Sequence, residues 1–346
     1  EFRRVLFRSQ VRDYSWRNWW HGNQTYIEKD VTIDTQPPRV EVLTRAHNVY
    51  QGGTGLVVYR LTEPCRKSGV VVGENFFPGY SGYFEDSEIM LAYFALDYTQ
   101  GPGTEILLNA VDNAGNQTKS GFYYYLKAKN WKKDTIRLSD GFLNWKMPEF
   151  DVEVPENSDN PVLDKFLVVN RKIRRENAKF LQALAHKSEN KVYWEGKFMR
   201  LPNSARRAGF ADHREYLYNG AVVDHQVHLG IDLASLEKSP VLAANAGKVI
   251  FADYIGIYGK TVVLDHGFGL MSMYSHLSSI DVETGGEVSR GDTLGRTGTT
   301  GMAGGDHLHF AMMVHDTMIN PIEWWDSNWI MHNVTDKLQE VKEIVR

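Results

Sequence analysis

One cysteine, Cys65, stands alone in 346 residues. A single thiol excludes an internal disulfide framework and any zinc cluster built on several cysteines, so a metal ion here has to be held by His, Asp or Glu. It says little about compartment, because exported proteins with adequate cores manage without disulfides. Long apolar runs are lacking too: no stretch approaches the roughly 20 consecutive apolar residues that cross a bilayer. Cations are not in excess. With 39 Lys and Arg against 43 Asp and Glu, the formal charge is −4, which argues against a nucleic-acid surface, since phosphate neutralisation needs clustered cations. The densest basic run, Arg171 to Arg175, reads as the solvated side of a helix. No His-Glu-x-x-His pair occurs to supply the zinc ligands and glutamate base of a helical metalloprotease site.

What is present is apolar enough to fold. Hydrophobic residues make up 42% and aromatics 12%, enough for two or three globular domains. Residues 1–30, opening EFRRVLFRS, are expected as a tail, native or added, with too little apolar length for a signal segment. A chain beginning at Glu1 leaves room for an export signal or membrane anchor upstream. From Val31 to about 127 the sequence reads as short strands (RVEVL, LVVYRL, GVVVG, IMLAYFAL, EILLNAVD, GFYYYL) separated by turn residues, the pattern of a β-sandwich. The AVDNAGN stretch at 110–116 ends a strand in an Asx-type turn. It resembles the end of bacterial immunoglobulin-like domains, which implies a spacing or partner-binding module.

Residues 128–192 are expected as a connector. EVPENSDNP has linker composition, and a helix is expected to start near Pro161 with Asp159 or Asn160 as cap. Leu163, Phe166, Leu167, Ile173, Phe180, Leu181 and Leu184 then recur on one face. A last amphipathic helix over 328–346 carries Ile330, Val334, Leu338, Val341 and Val345 on one side. Between them, 193–327 returns to strands and tight glycine turns, and this block holds the histidines that matter.

Residues 304–314 read GGDHLHFAMMV. On a strand, side chains alternate, so His307 and His309 share one face while Leu308 and Phe310 take the other. Upstream, HQVHLGIDLAS places His228 and Asp232 four residues apart, again on one face of an extended strand, with Gly230 between them leaving room for an ion. His-Asp-His with a fourth position open is how catalytic zinc is usually held. Between the two lies MYSHLSS, where His276 shares parity with Tyr274. Amide hydrolysis at a metal needs a proton acceptor and a partner for the oxyanion, and two imidazoles that do not bind the metal could do both.

Taken together, His228-x-x-x-Asp232, YSHL at 274–277 and HLHF at 307–310, preceded by GDTLGRTGTTGMAGGD, resemble the lysostaphin-type (LytM-like) zinc metalloendopeptidases that cut peptides of bacterial peptidoglycan. The resemblance spans about 210–325. It implies a mainly β protein whose C-terminal part is the antiparallel-β peptidase domain, a duplicated hybrid motif, following the immunoglobulin-like sandwich and helical connector. It further implies one Zn2+ per chain on His228, Asp232 and His309, with His276 and His307 as the catalytic pair. Peptidoglycan is then the partner, and the protein is exported to the periplasm or cell envelope, with a protein partner conceivable for the N-terminal module. Two positions depart from the family pattern: Asp306 before the HxH, and Ala311 where a glutamate often follows. Relatives that have lost ligands regulate other wall hydrolases, which is the alternative function; this sequence keeps all five residues. An HxH metal oxygenase is a further alternative, separable by metal analysis. The glycine run also resembles the turns of lipoyl- and biotin-carrying domains, without their exposed lysine. Asn203 or His213, just upstream of the ligands, is expected as a side chain that could fill the open metal position.

Overall fold

A computed structural model describes residues 3–16, 22–154 and 157–345. Within 1–30, the described residues are not a featureless tail: Arg3–Arg12 pairs antiparallel with Gln24–Ile33 over ten residues, as a two-stranded sheet of its own. Pro155 and Glu156 of the expected linker lie outside the described residues.

The sandwich forms where alternation and turn residues predict it. One sheet runs Gln117–Gly121, Ile106–Asp112, Cys65–Val72, Asn75–Pro78; the other runs Val40–Val42, Thr54–Leu61, Ile89–Ala95. Val57, Tyr59, Val70, Phe77 and Phe94 bury the space between them. Asp112 accepts the backbone N–H groups of Gly115 and Asn116, the expected Asx turn.

The C-terminal part is built on an eight-stranded antiparallel sheet. Its order is Ala205–Ala208, Ile231–Ala234, Leu308–Val314, Leu270–Leu277, Gly259–Gly267, Gly247–Ile255, Glu287–Val288, with Thr317–Ile319 pairing to Leu308–Val314. The connector is more than a helical spacer. Its strand Lys133–Leu138 runs parallel to Asp212–Tyr218, which forms a hairpin with Ala221–His228. Asn160 caps a helix that begins at Pro161 and continues through one wide turn at 169–173 to Leu184. Phe166, Leu181 and Leu184 of the expected stripe are buried, whereas Phe180 is 41% exposed and lies against Phe251.

Sandwich and C-terminal sheet share one continuous apolar core. Trp324 is its hinge: wholly buried, it stacks edge-on with Tyr93, Trp194 and Phe198 and donates its indole N–H to Thr54 Oγ1. The closing helical segment buries Ile330, Val334, Leu338 and Val341 in the same core.

Candidate metal centre

Three donor atoms converge at one edge of the large sheet. Asp232 Oδ1 lies 2.9 Å from both His228 Nε2 and His309 Nδ1, which are 3.0 Å from each other. The elements that bring them together differ from the single strand expected. His228 ends the hairpin strand Ala221–His228, the chain breaks at Leu229 and Gly230, and Asp232 belongs to the next strand, opposite His309 in register. The break at Gly230 has a steric reason that is not space for an ion. A Cβ at Gly230 would stand 2.5 Å from His309 Cε1 and Nε2, so the glycine makes room for the imidazole ring.

The first histidine is oriented from behind. His228 donates its Nδ1–H to the Gly209 carbonyl (2.8 Å), which leaves the Nε2 lone pair facing Asp232. Gly209 is in turn fixed by its N–H on Asp212 Oδ2 (2.7 Å). The second carboxylate oxygen of Asp232 accepts from Arg214 Nη2 at 3.0 Å. Arg214 escaped the sequence reading. Its signal is parity: Asp212, Arg214 and Tyr216 share the inward face of one strand, with Asp212 and Tyr216 buried. The same alternation turns His213 outward against Tyr98, and Asn203 meets Ser235 through its carbonyl. Neither reaches the three donors, so the expected blocking side chain is not found at either position.

His307 and His276 flank the donors. The His307 ring is 4.8 Å from that of His276, whose ring is 5.8 Å from His309. His307 Nε2 points at Asp232 Oδ1, 3.6 Å away. Each imidazole donates its Nδ1–H to a backbone carbonyl at 2.8 Å, His307 to Gly305 and His276 to Thr300, leaving Nε2 as the nitrogen available for proton transfer. Parity alone misplaces His276. Tyr274 packs on Phe310 in the core, and a residue two further on would follow it. Instead His276 takes φ +63°, the left-handed region that costs a non-glycine residue strain, and this turns its ring to the site.

Burial dominates the electrostatics. It pushes the His309 imidazole down to about 4, and holds His276 well below the usual range, helped by the neighbouring His307 and His309. Burial resists ionisation of Asp232, yet His228, His307 and His309 around it keep the carboxyl far below its ordinary value. Burial presses the His307 imidazole down, but the Asp232 carboxylate and the Gly305 carbonyl together leave it above its ordinary value. The donor set fits a metal ion: two imidazole nitrogens face each other and one carboxylate oxygen at about 3 Å, an array that repels itself unless a proton or cation is shared between them. About 3.3 Å is the donor separation that tetrahedral bonds of about 2.0–2.1 Å require. The two departures have local reasons: Asp306 accepts from the Lys238 N–H, and Ala311 is sealed among Leu181, Met271 and Met273 under the helix, where a glutamate would be stranded.

This geometry coincides with a family match. Residues 226–321 match the profile of Peptidase family M23. The chain carries a family M23 domain. A stretch of 97 residues is 34% identical to the DD-carboxypeptidase/endopeptidase Mpg of Neisseria meningitidis serogroup B, covering 28% of this chain and 22% of the relative. Another of 96 residues is 36% identical to the peptidoglycan DD-endopeptidase ShyA of Vibrio cholerae, again 28% of this chain and 22% of that protein. The matched stretch is thus under a quarter of either relative's length. A solved Pseudomonas aeruginosa chain, named as a candidate peptidase M23, superposes over 80% of this chain and 95% of its own with a TM-score of 0.52 at 23% identity, a likeness of fold. The M23 domain holds His228, Asp232, His276, His307 and His309, while Arg214 and Gly209 come from just outside the matched residues.

Proposed function

We propose that this protein is a zinc-dependent endopeptidase that hydrolyses peptide cross-links or stem peptides of bacterial peptidoglycan, acting in the periplasm or elsewhere in the cell envelope. The observation that carries the reading is the convergence of His228 Nε2, Asp232 Oδ1 and His309 Nδ1 beside two further imidazoles inside an M23 domain. On this reading those three atoms hold one Zn2+. When bound, the ion supplies Lewis acidity, making water a nucleophile near neutral pH and polarising a carbonyl oxygen.

The chain's own residues do the rest. Arg214 holds the outer oxygen of Asp232, and the Gly209 carbonyl fixes the His228 ring, so the carboxylate and that imidazole are oriented before any ligand arrives. His307 and His276 serve as the catalytic pair: Nε2 of one accepts the proton of the attacking water and passes that same proton to the leaving amine, while the other, present as the imidazolium, hydrogen-bonds to the developing oxyanion without giving up its proton. Apolar walls from Phe142, Phe166, Tyr216 and Met302 exclude bulk water from the groove.

The test is metal content of the purified protein together with release of soluble muropeptides from isolated peptidoglycan. One zinc per chain with release is expected. His309→Ala should lose metal and activity together, and His307→Ala should keep the metal while activity falls by at least a hundredfold. Zinc without release from the unsubstituted chain would overturn the enzyme reading in favour of a regulator.

A further inference from the structure

One stretch that the metal centre does not use is GFYYYLKAKNWK at 121–132, where aromatic residues give way to basic ones. Its strand Tyr124–Lys127 pairs in parallel with His47–Tyr50. Alternation divides the strand into two faces. Leu126 is buried opposite Val49, and the Tyr124 hydroxyl donates to the Thr104 carbonyl. Tyr123 and Tyr125 turn outward, 76% and 55% exposed, and no ring stacks on either among the described residues. Lys127 follows on the outer face opposite Tyr50 in register, with its Nζ 5.1 Å from the centre of the Tyr50 ring, and Lys129 reaches the same ring at 4.5 Å. From Tyr123 to Lys127 this face is about 13 Å long, at a strand rise of about 3.3 Å per residue.

The basic end of the strip opens into a groove of about 420 Å³, where Lys129, Trp131 and Lys132 meet Arg206 and Arg207 of the edge strand Ala205–Ala208. Arg206 lies opposite Leu233 in register and so takes the sheet face turned away from Asp232. The charge here is one-sided. Lys132 has Asp134 at 3.7 Å, and Asp212 in the groove wall is buried and bonded to the Gly209 N–H. Glu323, the carboxyl that feels Lys129, is buried and pushed up to about 8, so it is mostly uncharged at neutral pH. Among the described residues, Lys127, Lys129, Arg206 and Arg207 have no ion pair, in a chain whose formal charge is −4. Cations gathered without anions repel one another, and rings left unstacked in water mark a surface that a partner covers.

A polymer of sugar rings bearing acidic groups answers both halves of the strip. A pyranose turns a face of C–H groups to an exposed aromatic ring, the free phenol hydroxyls bond to its hydroxyls, and its carboxylates, sulfates or phosphates pair with lysine and arginine. Such a polymer spaces its charges between rings, as the strip does. Duplex nucleic acid carries a charge about every 1.7 Å and is repelled by the net negative charge of the whole chain. We propose that the strip from Tyr123 to Lys132, with Arg206 and Arg207, is a binding surface for an acidic polysaccharide. It goes beyond the peptidase reading and uses none of the five residues at the metal centre.

The probe is an end-labelled oligogalacturonate, which has a carboxylate on each pyranose. It is set against its methyl ester, which keeps the rings without the charge, polyglutamate, which keeps the charge without the rings, and single-stranded oligothymidylate. Affinity for the full chain is read by fluorescence anisotropy at physiological ionic strength. The acid form should bind about tenfold or more tightly than each of the other three, and the double substitution Lys127→Gln, Lys129→Gln should cost it about tenfold, as should Tyr125→Ser. A thermal melt checks that each variant is folded; should the lysine pair prove destabilising, Tyr125→Ser decides alone. Equal binding of the methyl ester or of polyglutamate, tighter binding of oligothymidylate, no binding of the acid form, or full affinity in either folded variant would overturn the proposal. Cleavage plays no part in the readout, so failure of the peptidase reading would leave this surface standing, and failure here would leave that reading untouched.

Discussion

The smallest decisions in this protein are steric. Gly230 is required because the His309 ring occupies the place where its Cβ would be, at 2.5 Å. Gly230→Ala is therefore expected to displace His309 with little effect on the distant core, weakening metal binding by about 10–100-fold, the range seen when the groups that orient metal ligands are disturbed. Competition for zinc with a chelating dye, set beside a thermal melt, checks this: unchanged metal affinity would show that the ring moves freely. His276 makes the complementary point. Its left-handed backbone spends strain to aim an imidazole that strand alternation would have buried beside Tyr274.

At the scale of elements, the connector is tied to the site by one buried cation. Lys146, on the helix Asp140–Lys146, is fully buried; its Nζ reaches Glu149 Oε1 at 2.6 Å and the Thr299 carbonyl. The next residue, Thr300, offers the carbonyl that orients His276. Lys146 thus supports the orientation of the His276 imidazole, proposed as one of the catalytic pair, some 130 positions downstream in sequence. Lys146→Met is expected to cost about 1–3 kcal/mol of stability through the lost charged hydrogen bonds. It should also lower kcat several-fold with little change in KM, because the His276 ring loses its support while the groove lining is untouched. Denaturant titration and steady-state kinetics on a peptide substrate separate the two effects, and a KM change without a kcat change would refute the link.

At the scale of the whole molecule, the sandwich and the M23 domain meet at a buried carboxyl. Glu323 accepts the Thr54 N–H at 2.9 Å, and burial pushes its carboxyl up to about 8. Its folded value lies above its unfolded one, so the stabilisation is complete below about pH 4.5, falls as pH rises, and is gone once pH passes 8. A shift of that size corresponds to at most several kcal/mol. Glu323→Gln keeps an acceptor for Thr54 without titrating. The difference in Tm between the two proteins should change in favour of the variant from pH 5 to pH 9, and parallel melting curves across that range would show that the carboxyl does not titrate in the folded state.

The sequence by itself determined a cluster of metal-ligating residue types, the sandwich and the helix capped by Asn160, because each is written in local terms of side-chain parity, short spacings and turn residues, whereas the choice of His309 over His307 as a donor came from the family resemblance and not from spacing. His228, Asp232, His307 and His309 could be grouped on that basis alone. Only the tertiary structure decided which atoms face the site. The break at Gly230, the reversed ring of His276, the inward Arg214 and the strand Lys133–Leu138 beside the hairpin all depend on residues about 20 to 80 positions apart being packed together. Periodicity reports which face a side chain takes on its own element; what that face meets is set by burial and steric fit between elements distant in the chain.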